Sequence, residues 1–174
     1  MKTHNNSSHR RHSGRDDLIG EYRWGDIWQV ILLVIFLVVW IADSFFLQYS
    51  TWLISYVPSV VRLIFGLSFS IGSVIMARTS LNIVFGEVRE KPEVITKGLF
   101  GIVRHPVYLS AILLYLGFIS FSLSLLSVMV WVVIIGFYHF LARYEERLLL
   151  VEFGEEYETY MKRVPMWIPK LGTK

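Results

Sequence analysis

The chain has 174 residues, 54% of them hydrophobic and only 18% charged, with a mean hydropathy of +0.51. That is too apolar for an ordinary soluble domain, in which apolar usage including glycine is roughly 45–50% and charge about 25%. Cysteine is absent, which excludes disulfides and thiolate metal sites. The net charge of +3 reports membrane topology and anionic lipid rather than nucleic acid, for which no motif is present.

Residues 1–20 are polar and offer almost nothing to bury, so they are expected to form a disordered tail ahead of a single domain over 21–174. His4, His9 and His12 fall in that tail, where a solvated segment explains them better than a metal site; no metal is expected. The apolar run that follows is too long for a signal peptide and lacks a small-residue cleavage site. Residues 27–46 are apolar apart from Gln29, Asp43 and Ser44, enough to span a bilayer as a helix. Trp24, Trp28, Trp40 and Tyr49 lie near its ends, where amphipathic rings prefer the interface. A second span is expected over 57–77, with Gly66, Ser70 and Ser73 as small residues that permit close helix contact. Arg62 lies inside it, with a structural role: it snorkels to the near surface or pairs with Asp43.

Residues 78–106 form a polar connector containing Pro92, Gly86, Gly98 and Gly101, long enough to suggest function. Residues 107–142 are then almost purely apolar. One helix of that length would measure roughly 54 Å against a ~30 Å core, so two spans fit better, 107–121 and 124–142. They reverse near Ser120–Ser124 and are expected to pack as a tight antiparallel hairpin. From Arg143 the last helix continues out of the membrane as an amphipathic, charged segment that breaks at Gly154; Pro165 and Pro169 end regular structure.

The cations set the topology. Residues 1–26 hold five Lys and Arg, 78–106 five and 143–174 six, whereas 44–56 and the turn near 122 hold none. The positive-inside rule therefore puts both termini and the connector in the cytoplasm, which requires four spans. The expected fold is an all-α integral membrane protein of about four transmembrane helices, with a cytosolic pocket between connector and C-terminal segment.

On that face Arg104, His105 and Tyr108 meet His139, Arg143, Glu145 and Glu146. Residues 139, 143 and 146 share one helix face and 138, 142 and 145 the adjacent one. The glutamates are open to three readings: a solvated helix end, ion pairs with Arg104, or a functional site. Pro106 suits a first helical turn, so Arg104 and His105 precede the third helix, whose free N–H groups and positive dipole end suit a ligand carboxylate. His105 is alternatively a plain N-terminal cap. No Walker loop, dinucleotide fingerprint, His-Glu-x-x-His or nucleophile elbow is present.

The run Thr96-Lys97-Gly98-Leu99-Phe100-Gly101-Ile102-Val103-Arg104-His105-Pro106-Val107-Tyr108 resembles the cofactor motif of the isoprenylcysteine carboxyl methyltransferase family. So do Arg143-Tyr144-Glu145-Glu146-Arg147-Leu148-Leu149, Phe153-Gly154-Glu155-Glu156-Tyr157 with Tyr160, and Arg163-Val164-Pro165. The likeness covers roughly 90–170; the first two spans share only hydrophobicity with the family. It implies an integral membrane enzyme using S-adenosyl-L-methionine to methylate the carboxylate of a lipid-linked acceptor, such as a prenylated cysteine, that enters from the bilayer. Carried over, Pro92, Glu93, Val94 and Ile95 line the cofactor pocket through backbone. Phe100 contacts the cofactor where relatives often carry Tyr. His105, Pro106, Val107 and Tyr108 hold it, and Glu145 takes its polar end. Arg143 stands as the acceptor-binding arginine, two residues before Glu145, with Glu146 as the other catalytic candidate; Asn82 stands in for a family glutamine.

The chemistry agrees with these residue types. A carboxylate is ionised at pH 7 and needs alignment and a dry site rather than a base. Competing readings are an amine or phospholipid methyltransferase, in which Glu145 or Glu146 acts as base, a nicotinamide-dependent membrane reductase, and a non-catalytic membrane protein.

Overall fold

In a bilayer core each backbone N–H and C=O must be paired within its own segment, so apolar runs of this length become helices. The computed structural model describes residues 25–86 and 93–169, and among these every regular element is helical. Helix α1 (Gly25–Ile41) runs into a π-helical turn at Ala42–Leu47; α2 is Ser59–Phe85, α3 Pro106–Ser122, α4 Leu125–Phe153 and α5 Glu155–Arg163. The expected tail, Trp24 and Pro92 lie outside the described residues.

Among the described residues three helical stretches are long and apolar enough to cross a membrane: Ile27–Leu47, α2 and α4. Helix α3 is apolar but has only 17 residues, about 25 Å, shorter than a ~30 Å core. Length alone thus supports three spans where four were expected. The second helix also outruns its expected end at 77, because Leu81, Ile83, Val84 and Phe85 carry the apolar pattern on to Gly86, where it stops. The connector is correspondingly shorter. The reversal after α3 falls where expected, with Leu123 left-handed at φ 50° and Ser124 as the N-cap of α4. Helix α4 also ends as expected, at Gly154 with φ 53°.

The expected hairpin of α3 and α4 is not the most intimate pair. That pair is α2 with α3, which lie antiparallel along their length. Gly66 leaves room for the Phe121 ring, and Ser73 Oγ donates to Ser110 O at 2.8 Å. At Gly117 an added Cβ would stand 2.5 Å from Ser70 Oγ and 3.2 Å from Gly66 O. Between α3 and α4 larger side chains intervene, with Trp131 Nε1 donating to Ile112 O at 2.9 Å and Tyr115, Ile134 and Tyr138 buried around it. Small residues permit close approach; aromatic rings hold helices apart. Gly117→Val is therefore expected to cost roughly 1–3 kcal/mol, read as a lower melting temperature in detergent. An unchanged melt would show that α2 and α3 do not pack this closely.

Phe36 of α1 inserts beside Tyr115 at 4.6 Å between ring centroids, and Trp40 Nε1 donates to Phe118 O at 2.9 Å. Outward valines, isoleucines and phenylalanines of α1, α2 and α4 remain exposed, as a lipid-facing surface requires.

One end of the bundle is closed by a buried acid. Asp43 is 1% exposed. Its Oδ1 accepts from Tyr49 N and Ser50 N at 3.0 Å, and its Oδ2 from Ser50 Oγ at 2.5 Å and Ser124 Oγ at 2.6 Å. The two serines then accept from the first turn of α4: Leu126 N reaches Ser50 Oγ at 3.0 Å and Ser127 N reaches Ser124 Oγ at 3.1 Å. Of the two alternatives for Arg62, the pair with Asp43 is not formed. Arg62 Nη1 donates to Phe121 O at 2.7 Å, because the serines and backbone amides already fill the acid's lone pairs. The opposite end gathers the C-terminus of α2, the segment 93–105, the start of α3, the end of α4 and α5. There Ile83 of α2 lies against Gly98, whose φ is 57°.

Candidate active site

The site is built where α3 begins. Pro106 occupies its first turn, which needs no N–H and already has the φ that proline imposes. His105 sits at the N-cap, but its ring makes no cap bond. The plain capping alternative is thus not what the side chain does: it turns between two acids of α4. His105 Nε2 is 3.3 Å from Glu146 Oε1, and Nδ1 is 3.8 Å from Glu145 Oε2. One turn on, Tyr108 OH donates to Glu145 Oε1. The His105 and Tyr108 rings are nearly parallel, 5° apart at 5.8 Å between centroids. Tyr138 continues this aromatic wall 5.2 Å from Tyr108.

Glu146 takes the ion-pair alternative. It is 2% exposed, and Arg104 Nε donates to its Oε1 at 2.7 Å. The same guanidinium reaches the C-terminal segment, where Nη1 donates to Val164 O at 2.6 Å and Met161 O at 3.1 Å. The Arg104 backbone N–H donates to Pro165 O at 3.0 Å. One arginine therefore fastens connector, α4 and tail together. Glu146 Oε2 is buried without a hydrogen bond; the Arg143 guanidinium stands 3.9 Å away. Arg143 is itself 55% exposed at the rim and has no closer partner among the described residues.

Helix α5 folds back on this end through Tyr157, Tyr160 and Val164, which pack with Val94, Leu149, Leu150, Phe153 and Met161. Tyr160 OH donates to Phe100 O at 2.7 Å. Burial pushes the Tyr160 phenol up to about 12 and the Tyr157 phenol higher still, with the Arg104 guanidinium opposing and the Glu146 charge adding in both, so both phenols stay neutral near pH 7. Val94, Thr96, Glu156, Thr159, Tyr160, Arg163 and Val164 line an open groove of about 380 Å³ between α5 and the segment 94–96.

Of the residues singled out by sequence, His105, Pro106, Tyr108, Glu145 and Glu146 come together, with Arg143 at their rim. Val107 lies beside them on the first turn of α3, half-buried. Phe100 enters through its carbonyl, in the short turn Gly98–Gly101. Val94 instead packs against α5 and lines the groove beside it, with Glu93 and Ile95 as its neighbours in the chain. Two further residues belong to this end: Tyr138, which the sequence put on the Glu145 face without a role, and Trp167, which it did not single out. Tyr138 shares its helix face with Glu145, a signal that 3.6-residue periodicity offered. Trp167, between Pro165 and Pro169, lies 5.9 Å from His105 and donates its Nε1 to His139 Nδ1 at 3.2 Å. No local pattern announces that contact.

A family model described as phospholipid methyltransferase matches residues 56–156, from the turn before α2 to the start of α5. Neither the curated proteins nor the solved structures include a match to the chain.

Proposed function

The chain belongs to the phospholipid methyltransferase family and is a membrane methyltransferase, and from that premise we propose that it moves the methyl of S-adenosylmethionine to the head group of a lipid-linked acceptor at the α3–α4 mouth. The observation that carries this reading is one cluster assembled across 37 to 42 residues of chain: Arg104, His105 and Tyr108 against Glu145 and Glu146.

The residues fit the donor. S-adenosylmethionine supplies an electrophilic methyl on a sulfonium, flanked by an ammonium and a carboxylate. Glu145, 19% exposed, offers an anion to the ammonium. The positive dipole end of α3 at His105–Tyr108 favours the carboxylate. The His105 and Tyr108 rings offer faces that attract a cation. Glu146, held by Arg104, sets the position of His105 rather than meeting substrate. Phe100 and Val107 extend the donor side. The two faces of the site lie at the cation-rich end of the bundle, which we assign to the cytoplasm, with α3 as the fourth membrane element.

For the acceptor, Arg143 favours a carboxylate, as in the isoprenylcysteine carboxyl methyltransferases that the sequence resembles. Its guanidinium is exposed at the rim, and a guanidinium fork aligns a carboxylate at two points. A carboxylate acceptor is ionised at pH 7 and asks no base of the chain. The family description favours a second reading, an amine head group. Glu145 would then take the ammonium proton, since Glu146 is committed to Arg104.

Incubation with methyl-labelled donor and two acceptor sets, lipid-linked carboxylates and amine phospholipids, separates the two. Label released as methanol by mild base marks an ester; base-stable label marks an amine. No transfer to either set and no donor binding would sink the proposal. His105→Ala and Glu145→Ala are expected to weaken donor binding roughly 10- to 100-fold, the worth of a charge-assisted hydrogen bond. Arg143→Ala should leave donor binding within about two-fold and raise the acceptor KM, since it removes acceptor contacts alone. Full donor affinity in Glu145→Ala would remove that residue from the site.

A further inference from the structure

The tail beyond α5 carries an aromatic residue that the reading above does not use. Trp167 follows Pro165 and lies outside the family match. Its indole is half-buried against the core and stands 5.9 Å from the His105 ring at 40°. It stands 6.4 Å from the His139 ring, and its N–H is spent on His139 Nδ1 at 3.2 Å. A tryptophan that merely anchors a membrane surface turns its N–H to water and head groups. Here a histidine two turns along α4 from Glu146 takes that N–H, which fixes the ring over the site. The tail that delivers it is held by three Arg104 bonds to Met161 O, Val164 O and Pro165 O. The neighbour Ile168 is 79% exposed, so the tail is not apolar packing throughout.

We propose that Trp167 closes the aromatic wall begun by Tyr108 and His105 and presents its face to the positive sulfonium of the methyl donor. This rests on the donor site proposed above. An indole gives the strongest cation–π face among side chains, and its attraction grows when water is excluded. The consequence is a preference between two ligands of one shape. S-adenosylmethionine carries the positive sulfur and S-adenosylhomocysteine a neutral one, so the indole favours the donor and releases the product.

Equilibrium binding of both ligands to the purified full chain in detergent tests this. Trp167→Leu is expected to weaken S-adenosylmethionine about ten-fold while leaving S-adenosylhomocysteine within about two-fold, and Trp167→Phe to keep most of the preference. His139→Ala, a change at an exposed residue, frees the indole without removing it and is expected to lower the same preference about three-fold. It carries the test if Trp167→Leu fails to fold. Unchanged donor affinity in these variants, or equal losses for both ligands, overturns the role of Trp167 alone. A wild-type chain that binds neither ligand overturns the donor site and this proposal together.

Discussion

Arg104→Ala is expected to destabilise the protein by about 3–5 kcal/mol, the cost of leaving a buried acid without its partner. Glu146 is 2% exposed and Arg104 9%, so neither charge has water in reserve. The substitution also strips the donors from Met161 O and Val164 O. The tail 164–169 should then loosen, left with the backbone bond to Pro165 O and the Trp167 contacts, while α1 to α4 persist on the buried core of Phe36, Tyr115, Ile134 and Tyr138. Two measurements check this: the melting temperature in detergent, and limited proteolysis near the C-terminus. A melt within a degree of wild type, with an equally resistant tail, would contradict it. A companion variant separates charge from position. Arg104→Met with Glu146→Met removes the orphaned acid and should recover much of the stability, since apolar replacement of a buried pair is often neutral or better. Donor binding should stay lost, because His105 no longer has Glu146 beside it and the tail keeps only its backbone bond to residue 104 and the Trp167 contacts.

Asp43→Ala is the second large effect, at the opposite end of the bundle. The acid accepts four hydrogen bonds from Tyr49, Ser50 and Ser124. Because the hydroxyls of Ser50 and Ser124 donate to Asp43, their lone pairs are turned toward Leu126 N and Ser127 N. The backbone carbonyl of Ser50 takes Leu125 N at 3.3 Å. The start of α4 is thus capped by serines that the acid orients, and its negative charge also suits the positive end of the helix. Each buried donor left unpaired costs about 1–3 kcal/mol, and the loss of several should total at least about 3 kcal/mol. Asp43→Asn should cost much less, since the amide keeps one acceptor oxygen and hydroxyls can rotate to accept from its NH₂. Thermal melts of the two variants decide the matter. Equal and small losses would show that the hub does not hold α1, α3 and α4 together.

Much of the architecture is legible in the sequence. Apolar length announced helices, and the serine run at 120–124 announced the reversal. Gly154 announced the break, and Gly66, Ser70 and Ser73 announced a close seam. All of these are local properties of a chain whose backbone must satisfy itself in lipid. The cation distribution likewise singled out one end of the bundle, and the spacing of Arg104-His105-Pro106-Val107-Tyr108 and Glu145-Glu146 singled out the two halves of the site. Helix lengths were less legible: α2 runs on to Phe85 because Ile83 finds Gly98, a contact outside its own segment.

What sequence left open was pairing. Helical periodicity puts Glu145 and Glu146 on neighbouring faces but does not say which one the bundle buries. The rotation of α4 against the start of α3 decided that: Glu146 went to Arg104 and Glu145 to Tyr108. Arg62 had an acid of the right charge at the right depth, yet Asp43 was already saturated by serines and amides, and Arg62 took the Phe121 carbonyl. Trp167 reached His105 and His139 only because Arg104 folds the tail back. The sequence by itself determined a helical membrane protein with one polar, cation-rich end and the residue types that gather there. Tertiary structure alone decided which charges are buried, which are bound and which face outward. The reason is physical: helix formation answers to neighbours within one turn, whereas the Arg104–Glu146 and Tyr108–Glu145 contacts, 42 and 37 residues apart in the chain, depend on how the start of α3 is set against α4.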